Sequence, residues 1–254
     1  MLTGQDILCI SSIDWRFIWQ GHQEIMSTLA ANGNRVLFIE NTGIRTPTIR
    51  DLPRLRQRLG NWWRGTKGFQ RESENLFIHS PLILPFPYSW IARQINRWLI
   101  TRSLQRWMRA TGFRRPVVWT FLPTPLARDI IRKVDASLTI YYCIDDFASS
   151  SSGARRIRRS EEWLLREADL VFVTSAKLRE RVRRFRQQVH LFPFGVNYQQ
   201  FEKIRVRGHR PAEELQDLPR PLVGYVGGIH RWVDTSLLKA LARLMPDASF
   251  ALVG

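Results

Sequence analysis

Short apolar runs alternate with amphipathic stretches along the chain, and the alternation recurs from its first residues to its last. Residues 6–10 (DILCI) form a strand-like run. A polar, aromatic loop (SSIDWRFIWQGH) follows, then a helical period through Ile25, Met26, Leu29 and Ala30 that Gly33 stops. Residues 35–40 (RVLFIE) give the next strand. This opening is a β-α-β unit, whose strands should be parallel and whose crossover should be right-handed. Further strands are predicted at 75–80, 117–121, 138–143, 169–174 and 189–192, and helices over 90–110, 126–134, 155–168 and after Ser175. In the helix at 90–110, Ile91, Ile95, Trp98 and Leu99 lie on one side and Ile100, Leu104 and Trp107 on another. Its apolar face therefore shifts near Thr101, and a single membrane-binding stripe is not expected.

A second unit begins at Pro221. The run Leu222–Val226 ends in Gly227-Gly228, and Asp234 or Thr235 can cap a helix carried by Leu237, Leu238, Ala240, Leu241 and Leu244. That order is a strand, a glycine turn and a helix. Glycines there either let backbone N–H groups approach an anion such as a diphosphate, aided by the helix N-terminus, or simply make a tight turn. The pattern as a whole predicts an α/β fold: a GT-B-like, doubly wound parallel sheet in an N-terminal Rossmann-like domain, plus the start of a second Rossmann-like domain. The expected extents are 1–198 for the first domain, 199–219 for a polar connector and 220–254 for the second. The last segment is too short for a core of its own, so the chain is expected to be truncated.

Composition narrows the chemistry. Of 254 residues, 44 % are apolar, as in ordinary globular proteins. Cys9 and Cys143 both sit in apolar strands and read as buried thiols, with no Cys–His metal spacing. The N-terminus lacks the basic and apolar regions of a signal peptide, and no stretch approaches a membrane span, so a cytoplasmic setting is expected. The net charge of +17 implies an anionic partner: nucleic acid, an anionic membrane or a phosphorylated substrate. Its distribution is uneven. Residues 45–71 carry eight basic residues against Asp51 alone, with Trp62-Trp63 between them, and no acid occurs from 75 to 128. This points to peripheral attachment at the inner face of the cell membrane, where each basic residue contributes ~1 kcal/mol. The alternative is the arginine bias of a GC-rich genome.

The segments DLVFVTS (169–175), VHLFPFGVN (189–197) with Phe201 after it, PLVGYVGGI (221–229) and SFALVG (249–254) resemble, in order and spacing, the GT-B glycosyltransferases of family 4. Within that family the likeness is to the bacterial group around the teichuronic acid transferase TuaH. That group similarly has a Trp-rich loop ending in W-Q, here residues 15–20, and a central strand that runs into paired aspartates, here Tyr142 to Asp145 and Asp146. The resemblance implies transfer of a sugar from a nucleotide-diphosphate sugar, a co-substrate rather than a cofactor, to a cell-envelope or lipid-linked glycan. It implies an acceptor cleft lined by residues 14–22 and 122–124 and by Asp145-Asp146, and a donor loop at Gly227-Gly228. A metal is not expected, since the fold neutralises the leaving diphosphate with helix N-termini and basic side chains. Two departures stand out. After the glycine pair the sequence is His230-Arg231-Trp232-Val233-Asp234, leaving Arg231 as the phosphate-pairing charge. The family's E-x7-E carboxylates would fall beyond Gly254, and the chain alone is expected to be inactive.

For catalysis the residues singled out are Asp145, Asp146 and His22. The aspartates either orient acceptor hydroxyls, one serving as a base, or end the strand and cap a helix. His22 either meets a substrate phosphate or hydroxyl or merely packs and caps. On the acceptor side stand Trp15, Arg16, Trp19, Gln20 and Gly21. Arg16 binds a phosphate or is simply solvated, and the tryptophans stack on a sugar or bury against the sheet. Donor contacts fall to Gly227, Gly228 and Arg231. The readings left beside the transferase are a basic α/β nucleic-acid-binding protein and a non-catalytic relative that keeps only the acceptor domain.

Overall fold

The computed structural model describes residues 2–40, 42, 68–84, 86, 89–147, 157–207, 212–229 and 233–254. It divides into two units, Met1–Gly195 and Val196–Gly254. The first is built on strands β1 (Asp6–Ile10), β2 (Arg35–Ile39), β3 (Phe69–Arg71), β4 (Leu76–His79), β5 (Val117–Thr120), β6 (Leu138–Cys143), β7 (Leu170–Val173) and β8 (His190–Leu191). They form one sheet in the order β3-β4-β2-β1-β5-β6-β7-β8. Every pairing is parallel except β3 with β4. The fold is thus α/β, with a GT-B-like, Rossmann-type sheet. From β1 the chain moves outward through β2 and β4 on one side, and from β5 outward through β6 to β8 on the other. The reversal lies between β1 and β5, where a doubly wound sheet opens a crevice at the strands' carboxyl ends.

Both faces of the central strands are apolar, as a covered parallel sheet requires. Leu8, Leu37, Val118 and Tyr141 face one way, packed with side chains of α2 (Trp90–Thr111), α3 (Pro125–Ile131), α4 (Arg158–Glu167) and α5 (Ala176–Arg183). Ile7, Cys9, Phe38 and Tyr142 face the other, with Met26 and Ala30 of α1 (Gly21–Ala31). Both cysteines are free and buried. The caps follow the local sequence: Ser89, Thr124 and Ser175 accept from Ala92, Ala127 and Leu178 backbone N–H groups, and Pro125 opens α3.

Two features differ from the sequence expectation. The short edge strand β3 pairs antiparallel with β4, within the stretch read as a basic excursion; residues 45–67 of that excursion lie outside the described residues. In α2 the inward row is Ala92, Asn96, Ile100 and Leu104, a strict four-residue repeat, while Ile91, Ile95, Trp98 and Leu99 are exposed. Asn96 turns inward because its Oδ1 accepts from Leu84 N (2.7 Å) and its Nδ2 donates to Leu84 O (3.0 Å), clasping the incoming loop.

The second unit holds α6 (Tyr198–Arg207), α7 (Glu213–Gln216), β9 (Leu222–Val226), α8 (Thr235–Leu244) and β10 (Ser249–Val253), with β9 and β10 parallel. It is a β-α-β unit, and Asp234 caps α8 by accepting from Ser236 N (3.0 Å) and Leu237 N (2.9 Å).

Candidate functional site

The crevice between β1 and β5 is organised by the loop from Ser11 to Gln20. Ser11 N donates to Ile39 O (3.0 Å) and Phe121 N to Ile10 O (2.9 Å), so the ladder continues past both strand ends. Gln23 then holds the loop from behind: its Oε1 accepts from Gln20 N (2.9 Å) and its Nε2 donates to Trp15 O (3.3 Å). Buried Glu40 accepts from Trp15 N (2.9 Å) and from Ser80 Oγ (2.6 Å), tying the loop to the ends of β2 and β4. These ties leave His22, in the first turn of α1, 3.0 Å from Ser12 Oγ through Nε2 and with its ring 4.0 Å from that of Phe121.

His22 is 1 % exposed, and burial pushes its pKa from 6.5 down to about 4. It is therefore neutral at physiological pH, with one ring nitrogen held by Ser12. The other, Nδ1, is buried and has no hydrogen-bond partner. With Nδ1 buried, this neutral imidazole reaches the strand ends through the partly exposed Ser12 hydroxyl, with which Nε2 can exchange a proton. Phe194 approaches from the chain beyond β8. Its ring lies 6.5 Å from that of His22, and a Cβ added to Gly21 would come within 2.4 Å of it. Any larger residue at 21 has to move that ring. Tyr142, one strand beyond β5, donates its hydroxyl to Phe192 O and packs on both Phe192 and Phe194.

The other sequence-selected residues divide. Trp15 is buried, edge-on to Phe38 (5.0 Å) and to Trp19 (5.5 Å), whereas Trp19 is 54 % exposed with its Nε1 donating to Glu24 (2.7 Å). Arg16 is exposed, and Gln20 and Gly21 form the entry to α1. Asp145 is exposed and accepts from Asp146 N (2.7 Å). Asp146 pairs with Arg181 (3.0 Å). That arginine is the member the sequence reading missed: it also reaches Glu161 (2.6 Å), buried in α4, which accepts from Tyr141 OH (3.0 Å). Burial and the Glu161 carboxylate push the Cys143 thiol up to about 11. The signal was present in sequence, since Glu161 lies on the same inward face of α4 as Leu164 and Leu165, and Arg181 sits among inward Leu178 and Val182 in α5.

In the second unit, Gly227 adopts φ +151°, a conformation open to glycine, and donates its N–H to Val253 O (2.9 Å). Tyr225 OH donates to Gly228 O (3.1 Å). Arg231 lies outside the described residues. Among the described residues no group of His, Cys, Asp and Glu could hold a metal ion, and no helix is long and apolar enough to cross a membrane.

The mostly parallel eight-stranded sheet of the first unit is of the GT-B-like, Rossmann type. A sucrose-phosphate synthase from Thermosynechococcus elongatus is similar in structure over 98 % of this chain, with 19 % sequence identity and a TM-score of 0.63. The chain spans 62 % of that protein's length. A second structure of sucrose-phosphate synthase from the same organism matches 80 % of this chain and 96 % of its own, at 15 % identity and a TM-score of 0.47. No family model matches the sequence, and no curated protein matches it.

Proposed function

We propose that the protein is a glycosyltransferase that moves a sugar from a nucleotide-diphosphate sugar to a cell-envelope or lipid-linked glycan. The observation that carries this reading is the neutral, buried His22 at the β1–β5 switch point, bonded to Ser12 and left with one free ring nitrogen. In this reading the acceptor hydroxyl attacks the anomeric carbon as the bond from that carbon to the diphosphate oxygen breaks. The partly exposed Ser12 hydroxyl meets the acceptor and passes its proton to His22 Nε2, and the diphosphate leaves with the electron pair. Trp19 and Arg16 meet the acceptor from the open side of the loop, and Asp145 orients its hydroxyls. Asp146, paired with Arg181, positions that corner. Gly227 and Gly228 bring backbone to the donor diphosphate, with Arg231 adding charge. The family-4 likeness and the TuaH-like motifs support the same assignment. The basic, tryptophan-bearing sequence suits work at the inner face of an anionic membrane.

The test is transfer by the enzyme purified from its own cells, wild type against His22→Ala. His22→Ala should lower kcat by about 10²-fold or more with donor affinity unchanged. An unchanged kcat removes His22 from the chemistry.

A further inference from the structure

A cavity lies away from His22, at the edge of the first unit where β3 and β4 meet α2. It holds about 340 Å³, within the range of small-ligand sites, and its walls include Phe69, His79, Leu82, Leu99 and Trp107. The floor is dry and neutral. Phe69 is stacked flat between His79 (3.9 Å) and Trp107 (5.4 Å), and burial pushes the His79 pKa down to about 4. Arg102 and Arg106 also line the cavity, and both are exposed. Neither forms an ion pair among the described residues; Arg102 lies over the Trp98 ring (5.6 Å). Around the mouth the surface stays apolar: Trp90, Ile91, Ile95 and Trp98 are each more than 40 % exposed.

We infer that this cavity binds an anionic phospholipid, one acyl chain entering between α2 and the β3–β4 edge while Arg102 and Arg106 hold the phosphate. Three observations select that occupant. The cavity is apolar inside and cationic at its rim, which matches a chain joined to a phosphate. Acids are missing from the whole stretch 75–128 that builds the face, so nothing in it repels an anionic surface. Exposed Trp90 and Trp98 are amphipathic rings of the kind that settle at a membrane–water boundary. The inward row of α2 accounts for this face: Ala92, Asn96, Ile100 and Leu104 complete the core, leaving the larger apolar side chains outside. The site stands independently of the transfer reaction, since it uses no residue of the His22 crevice.

The experiment is co-sedimentation of the chain with phosphatidylcholine vesicles, with and without phosphatidylglycerol. Wild type is compared with Arg102→Gln/Arg106→Gln, with Leu99→Gln at the cavity lip, and with Arg183→Gln/Arg184→Gln at the C-terminal end of α5, toward the opposite edge of the sheet. All five positions are exposed, so the fold should survive each change. Binding should require phosphatidylglycerol and should fall about thirtyfold in the Arg102/Arg106 pair. It should fall about tenfold in Leu99→Gln, where no charge is lost, and clearly less in the Arg183/Arg184 pair. Equal losses in the two arginine pairs, or an unaffected Leu99→Gln, would overturn the site, because charge alone would then explain binding. Failure to bind phosphatidylglycerol vesicles, with or without salt-sensitive binding to RNA, overturns it as well.

Discussion

Ser12 Oγ and His22 Nε2 lie 3.0 Å apart at the carboxyl end of β1, and this bond satisfies one nitrogen of an imidazole that the fold keeps dry. His79, at the end of β4, is buried as well, with Nδ1 3.4 Å from Gly68 O and Nε2 unpartnered. Burial sets both near pKa 4 instead of 6.5. The unfolded chain therefore takes up protons near pH 6.5 that the folded chain refuses until about 4. The stabilisation is complete above pH 6.5 and is lost as pH falls through 4. At pH 5 each histidine should cost about 2 kcal/mol relative to pH 7. Urea unfolding at the two pH values should show this loss, and His79→Phe, which keeps the stack on Phe69, should remove about half of it. An unchanged pH dependence in His79→Phe would contradict the assignment.

Gly21 and Phe194 are matched by size. A methyl at position 21 must displace a side-chain ring that is itself 45 % exposed, not backbone. Gly21→Ala should therefore leave stability within about 1 kcal/mol, since alanine also favours the helix it starts. The acceptor KM should rise while donor affinity stays constant. Equal changes in both would show that Phe194 does not shape the acceptor side.

Arg181 joins a buried partner to a half-exposed one: the Glu161 side chain is 3 % exposed and that of Asp146 38 %. Arg181→Met leaves Glu161 buried without its cation and should cost about 3–5 kcal/mol by thermal or urea unfolding. Asp146→Asn should cost no more than about 1 kcal/mol. If Asp146→Asn nevertheless abolishes transfer at unchanged stability, the aspartate acts on substrate and not only through Arg181.

Asp234 places a carboxylate at the N-terminus of α8, where it occupies the N–H groups of Ser236 and Leu237. A donor diphosphate approaching the Gly227 loop would meet that charge. Asparagine caps helices equally well, so Asp234→Asn should keep the melting temperature and tighten donor binding about two- to fivefold. Calorimetry showing weaker binding at the same stability would place the diphosphate elsewhere.

The strand–helix alternation was legible because buried parallel strands are continuous apolar runs. β9, α8 and β10 fall where the glycine pair, Asp234 and the SFALV run put them. β3 was not legible, because three residues with a basic end carry no period. The face of α2 was hidden for a different reason. Its inward row begins with Ala92 and Asn96, which hydropathy ranks below their exposed neighbours Ile91 and Ile95, and only the Leu84–Asn96 hydrogen bonds reveal the orientation. In the crevice, His22 and the 15–21 loop were visible as an unusual aromatic and polar cluster. Ser12 and Phe194 were not singled out, since their partnership with His22 and Gly21 joins segments that only the sheet brings together.

The most direct measurement is ligand-detected NMR of the protein purified from its own cells with uridine, guanosine and adenosine diphosphate sugars, repeated on Gly227→Val. The expected result is saturation transfer to at least one of these donors, lost in Gly227→Val, because valine does not adopt φ +151° without strain. Binding of none of them, or equal binding by Gly227→Val, would contradict the donor site and with it the glycosyltransferase assignment.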